Sequence, residues 1–321
     1  MPQPLRIVYF GTPEFAVPGL RAILSSPHPV VAVVSQPDRP KGRGQKLQST
    51  PTKRVGEAAG VPVLQPTRLK DPELHKVLTA FNPDLGVVAA YGRLIPDALL
   101  ELPRLGMINI HASLLPRYRG AAPVHRAVIN GDRETGVTIM RVVTELDAGP
   151  MFAAATRRIG PDETTPEVEA ALSALGADLV LEVIERMAAG IATETPQDHG
   201  AATYAEKIRR EESDIDWTQP VTVIHNLVRG LQPWPLVAIT LDGARLRLHR
   251  SRVADDRSPA HPGTITHAGG GRLSIATGGG GVLDVLEIQP EGKRVMSARE
   301  FLAGRVVAVG SPVGGGGASA G

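Results

Sequence analysis

Through the first half of the chain, short apolar runs alternate with helix-length stretches, and that alternation restricts the fold more than any other feature. The runs cover 6–10, 30–35, 61–64, 85–90 and 107–110. Stretches with helical signals lie between them at 15–25, 52–59, 72–80 and 96–100. Short apolar strands separated by helices build a parallel sheet that is covered on both faces. Two more strands are expected at 137–142 and 150–157, followed by a long amphipathic helix over 165–188 that Gly190 stops.

The pattern then changes. Residues 191–202 are polar, carry Pro196 and Gly200, and read as a linker. After one helix near 220–229 only short strands follow, at 236–241, 245–249, 263–266, 273–276 and 282–288. Five short strands joined by glycine-rich turns suggest a small closed or partly open barrel. From Gly314 the chain is glycine-rich and is expected to be a disordered tail. The 321 residues are enough for two domains. With aromatic residues at 3%, their cores must be mainly aliphatic.

Several chemistries are excluded. The chain has no cysteine, which removes disulfides, thiolate metal sites and cysteine nucleophiles together. The run at 85–90 is far shorter than the roughly 20 residues a membrane helix needs. The first residues, Met1-Pro2-Gln3-Pro4-Leu5-Arg6, lack the basic-then-apolar order of a secretory signal, so a cytoplasmic location is expected. Gly11-Thr12-Pro13 follows the first strand where a dinucleotide fingerprint would need Gly-x-Gly-x-x-Gly. No pair of histidines has metal-ligand spacing, so no metal is expected. A Gly-x-Ser-x-Gly elbow is missing too.

The segment Ile108-Asn109-Ile110-His111 carries the most chemistry. Strand alternation puts Asn109 and His111 on one face and the two isoleucines on the other. The strand ends at the carboxyl edge of the sheet, where open α/β folds place ligands. An amide donor beside an imidazole suits acyl transfer: one stabilises a developing oxyanion and the other moves protons. Asp147, in the turn-prone run Thr144-Glu145-Leu146-Asp147-Ala148-Gly149, is the candidate to orient the imidazole. On spacing alone a structural reading of the pair stands level with the catalytic one. A second feature is a basic stretch. Within 36–54, Arg39, Lys41, Arg43, Lys46, Lys53 and Arg54 face a single acid, Asp38. Such a run is either a solvated loop or a phosphate-binding one.

Taken together, these residues resemble the methionyl-tRNA formyltransferase family along nearly the full chain. The resemblance runs through 10–15, Gln36 to Gly44, Val88-Ala89-Ala90-Tyr91-Gly92 and Asn109 to Pro123. It continues through 134–140, 146–149, Thr203-Tyr204-Ala205-Glu206-Lys207-Ile208 and Pro233-Trp234-Pro235. The Asn-His-Asp set is shared by formyltetrahydrofolate-dependent transferases in general. The long basic loop and the barrel point to the tRNA-specific branch. One departure is Leu231-Gln232, where an aromatic-Asn pair is expected.

The resemblance implies an α/β fold with a Rossmann-like catalytic domain over 1–190, a linker over 191–208 and an OB-like tRNA-binding barrel over 209–313. It implies Asn109, His111 and Asp147 as the catalytic trio. Ser113, Leu114, Leu115 and Pro116, with Val88, Ala90, Tyr91 and Gly92, would bind the folate. Lys41, Arg43 and Lys46 would bind tRNA. The formyl donor would be 10-formyltetrahydrofolate and the acceptor methionyl initiator tRNA, with no membrane and no obligate protein partner. The nearest rival is a folate-dependent formyltransferase for a small amine, which would need neither the basic loop nor the barrel.

Overall fold

The computed structural model describes residues 3–41 and 46–315. They form two compact units. The first comprises residues up to Pro123, then Glu134–Arg157 and Glu169–Ala205; the second comprises Val124–Arg133, Arg158–Val168 and Glu206 onward. The contiguous division expected over 1–190 and 209–313 is therefore crossed by two short segments.

In the first unit the strands are β1 (Ile7–Gly11), β2 (Val30–Val34), β3 (Arg39–Lys41), β4 (Lys46–Gln48), β5 (Val63–Leu64), β6 (Leu85–Ala89), β7 (Met107–His111), β8 (Arg119–Gly120), β9 (Glu134–Arg141), β10 (Met151–Arg158) and β11 (Tyr204–Ala205). The helices are α1 (Val17–Leu24), α2 (Pro51–Ala58), α3 (Pro72–Ala80), α4 (Asp97–Leu100), α5 (Pro123–Ile129) and α6 (Thr165–Ala188); most of α5 and the first turn of α6 lie in the second unit. Thr50 and Asp71 cap α2 and α3 through their side-chain oxygens, each followed by a proline suited to the first helical turn.

The main sheet has the order β10-β9-β7-β6-β1-β2-β5. From β7 to β5 all neighbours are parallel, as the apolar runs required. The next strand, β9, whose direction the sequence left open, pairs antiparallel with β7. An antiparallel edge on a parallel sheet is common, and an apolar run does not encode its own direction. One face buries Val8, Phe10, Val34, Leu78, Tyr91 and Met107 in a single cluster. On the other face Ile110 packs so closely under Gly19 of α1 and Gly176 of α6 that a Cβ on either would stand within 2.9 Å of it.

The second unit carries α7 (Val221–Gly230), β12 (Val237–Leu241), β13 (Ala244–Val253), β14 (Ile265–Gly269), β15 (Arg272–Ala276), β16 (Val282–Pro290), β17 (Met296–Ser297), α8 (Ala298–Ala303) and β18 (Val313–Gly315). Its sheet is antiparallel with the order β14-β15-β16-β13-β12-β18. The two ends meet: Val313 N–H donates to Gly263 O at 2.6 Å and Ile265 N–H to Ser311 O at 2.9 Å. The sheet thus curls into a small barrel, filled by aliphatic residues such as Leu246, Leu248, Ile275 and Leu283. Gly314 and Gly315, assigned to the tail from sequence, instead pair with Thr240 and Ile239; the rest of that tail lies outside the described residues.

Candidate active site

Chain order places β1 at the centre of the parallel strands, with β2 on one side and β6 on the other. In sheets of this kind the ligand crevice lies at the carboxyl ends of the strands beside such a reversal. Gly11-Thr12 leaves β1 there, Ala90-Tyr91-Gly92 leaves β6, and His111 ends β7. Gln36 ties two of these exits together: its backbone N–H reaches Thr12 Oγ1 at 3.3 Å and its side-chain Nε2 donates to Tyr91 O at 2.7 Å.

Asn109 and His111 share a face of β7, and β7 is held in register by Val88 of β6 and by Met140 and Thr138 of β9. His111 is buried at 5% exposure. Its Nε2 lies 3.0 Å from Tyr118 O and its Nδ1 3.7 Å from Asp147 Oδ2. Because a carbonyl can only accept, Nε2 carries a proton, and a proton on Nδ1 points at the carboxylate. Asp147 Oδ2 also accepts from Gly120, whose N–H donates to it at 2.8 Å. Asn109 is half-buried, and no hydrogen bond joins its side-chain amide to another described residue. The trio is thus gathered in one place.

The loop after β7 explains why Tyr118 meets the imidazole. Ser113 Oγ donates to Arg117 O at 2.6 Å, and Thr138 Oγ1 both donates to Ser113 O at 2.8 Å and accepts from Leu115 N–H at 3.2 Å. Thr203 Oγ1 accepts from Tyr118 N–H at 2.9 Å. Ser113 and Leu115 are buried, whereas Leu114 and Pro116 are half-buried. Among the residues after β6, Ala90 and Gly92 are exposed at positive φ, of 45° and 77°, and Val88 is buried. The Tyr91 side chain turns away into the core, edge-on to Phe10 with ring centroids 5.5 Å apart, and burial pushes its hydroxyl pKa up. Tyr91 therefore presents only backbone at the crevice.

Sequence reasoning gave no role to Arg119, Gly120, Gln197 or Thr203. Gly120 supplies the N–H to Asp147. Its neighbour Arg119 is buried at 1% exposure and is held by Gln197, itself buried at 5% within the segment read as a linker. Thr138 and Thr203 brace the loop. That segment is bonded into the first unit as far as Ala205: Thr195 pairs with Met151, and Tyr204-Ala205 pair with Arg119-Gly120. Arg117 to Pro123 and Thr203 to Ile208 carried the resemblance, yet their spacing pointed to no role.

Part of the basic stretch is neutralised locally. Lys53 Nζ meets Asp38 Oδ2 at 2.7 Å, and with Gln65 it holds that carboxyl below its usual range. Arg54 pairs with Glu14 at 3.0 Å, and Arg39 bonds Gln36. Lys41 and Lys46 belong to the β3–β4 hairpin, directly opposite each other; Arg43 lies outside the described residues. Among the described residues no group of three or more acidic or histidine side chains is placed to hold a metal, and no helix is long and apolar enough to cross a membrane.

A mainly parallel sheet with an amide, an imidazole and a carboxylate gathered at its carboxyl edge has the arrangement of an α/β group-transfer enzyme. Residues 5–184 match the formyl transferase family and 207–306 match the formyl transferase C-terminal domain. The chain is 49% identical to the methionyl-tRNA formyltransferase of Methylococcus capsulatus, over 93% of this chain and 96% of that one. It is 47% identical to that of Desulfotalea psychrophila, over 94% and 93%. The chain belongs to the methionyl-tRNA formyltransferase family and is an enzyme of formyl transfer. Its fold is similar to the crystal structure of WlaRD, a sugar 3N-formyl transferase, with a TM-score of 0.66 at 16% identity over 91% of this chain and 100% of the other.

Proposed function

We propose that the chain transfers the formyl group of 10-formyltetrahydrofolate to the free amino group of methionyl initiator tRNA, in the cytoplasm, for translation initiation. The observation that carries this reading is the face of β7. There an amide and a buried imidazole, with a carboxylate 3.7 Å from its Nδ1, stand together at the carboxyl edge of the sheet. The full-length match to relatives bearing that name supplies the acceptor.

Formyl transfer between two nitrogens passes through a tetrahedral carbon whose oxygen is anionic, and a proton must move from the attacking amine to the leaving nitrogen. The Asn109 amide is the donor for that oxygen. The Nε2–H of His111 rests on Tyr118 O in the free protein and is the second donor, exchanging or sharing that partner as charge develops. Asp147 fixes the ring, and the imidazole relays the proton from the attacking amine to the leaving nitrogen. The flat heterocycle of the donor would lie at the carboxyl ends of β6 and β7. Exposed backbone at Ala90 and Gly92 and the half-buried Leu114 and Pro116 would line the crevice there, with Val88, Tyr91, Ser113 and Leu115 shaping it from behind. Lys41, Arg43 and Lys46 would meet tRNA phosphates, and the barrel would hold the flank of the same molecule.

A competition assay discriminates the rival. Purified protein is offered formyl donor with methionyl initiator tRNA and an excess of small amines. Preferential formylation of the tRNA supports the proposal; preferential formylation of an amino sugar or nucleotide amine replaces it.

A further inference from the structure

Asp147 sits in the left-handed region at φ 47°, a conformation that is unfavourable for a non-glycine residue and persists only where neighbours hold it. One buried side chain bonds the turn twice. Gln197 Nε2 donates to the backbone carbonyls of Asp147 at 2.8 Å and Gly149 at 2.7 Å. Gln197 Oε1 accepts from Arg119 Nε at 3.1 Å and Nη2 at 2.7 Å. Both donor hydrogens and the acceptor of the amide are thereby used, in a site where Gln197 and Arg119 are buried. Position 149 admits only glycine in this turn, since a Cβ there would stand 2.0 Å from Arg141 O. The residue after Arg119 is Gly120, which grips the Asp147 carboxylate from the front. The Arg119-Gly120 pair thus holds both ends of the arrangement: the carboxylate directly, and its backbone through Gln197.

We propose that Gln197 is a positioning residue for formyl transfer, clamping the turn at Asp147 to Arg119 and so setting where the carboxylate meets His111. The inference rests on the role given to Asp147 above. An amide is required because the position must donate to two carbonyls while accepting from a guanidinium. A glutamate would satisfy Arg119 better but would face the two carbonyls with a second set of acceptors, so the turn would move while the buried cation stayed paired.

The test is Gln197→Glu alone and combined with Asp147→Asn, with kcat expressed per site titrated by a folate analogue so that partial unfolding is not counted as lost rate. The expected result is a kcat lower by about 10–100-fold, the scale of a misplaced catalytic group, with each KM within about three-fold. The acid limb of the kcat–pH profile should be displaced. In the Asp147→Asn background the substitution should cost almost nothing further, because a residue acting through Asp147 has nothing left to position. A normal kcat and pH profile, or losses that multiply in the double variant, overturn the proposal. Should the glutamate variant not fold, Arg119→Lys, which keeps the charge but loses the two-pronged grip on Gln197, is read by the same criteria. If Asp147→Asn alone retains full turnover, the role of Asp147 itself fails. If only the Gln197 variants retain it, the clamp alone fails.

Discussion

His111 is caught between two acceptors of different character: the Tyr118 carbonyl, 3.0 Å from Nε2, and the Asp147 carboxylate, 3.7 Å from Nδ1. The carboxylate contact is longer than a hydrogen bond, and its other partner, the Gly120 N–H at 2.8 Å, is neutral. The Asp147 charge is therefore not cancelled at Gly120 and faces the ring. Asp147→Asn should keep the Gly120 bond but remove that charge, lowering kcat by about 10²-fold or more with a small change in KM for the folate donor. Steady-state kinetics at saturating tRNA check this; an unchanged kcat would show that the ring needs no carboxylate.

Asn109→Ala removes an amide that is bonded to no other described residue, so the fold should lose little stability. If the amide meets the oxyanion, kcat should fall by about 10²–10³-fold, equivalent to about 3–4 kcal/mol. Melting temperature and single-turnover rate, measured on one preparation, separate the two effects.

Two cations at the end of the basic stretch are matched within the protein: Lys53 by Asp38 and Arg54 by Glu14, so their loss should chiefly disturb α2. Substituting Arg43 and Lys46 with alanine should raise KM for the tRNA and reduce the salt dependence of binding by about one logarithmic unit of slope per lost phosphate contact. Filter binding across a salt series reads the slope directly, and an unchanged value would place these side chains away from the RNA.

Glu167 reports on acid stability. Two Thr164 donors, the backbone N–H and Oγ–H at 2.8 Å each, and the Arg250 guanidinium bring its carboxyl down from 4.5 to about 2. A group whose folded pKa is depressed stabilises the protein fully above its unfolded value and loses that contribution as pH falls through the folded one. The stabilising effect of Glu167 should thus fade between about pH 4.5 and about pH 2. Glu167→Gln should lower the unfolding midpoint at neutral pH, and the gap to the parent protein should close as the pH falls through that window. A constant gap would show that the carboxylate charge is not the cause.

Much of the first unit was legible because a strand buried on both faces must be apolar along its whole length, a pattern that surface elements of the same length do not share. The shared face of Asn109 and His111 followed from alternation alone, and Ile110 between them packs on the opposite face under Gly19 and Gly176. The reversed direction of β9 was not legible, since the pairing sense is decided by the route the chain takes between strands. Nor was the inward turn of Tyr91, which lies between two residues at positive φ, Ala90 and Gly92. Gln197 escaped because a polar stretch with Pro196 and Gly200 has the composition of a surface connection, whereas its burial is created by Arg119, 78 residues earlier. The hairpin β3–β4 and the short pairs β8–β11 and β16–β17 are too brief to leave a periodic signal.

The most direct measurement is single-turnover transfer from formyl-labelled folate to methionyl initiator tRNA, by the parent protein and by His111→Ala. Label recovered on the methionine amino group, formed at least about 10²-fold more slowly by the variant while folate binding is retained, is the outcome the imidazole's place beside Asn109 and Asp147 requires. Transfer by the variant at the parent rate, or no label on the methionine with either protein, would contradict it.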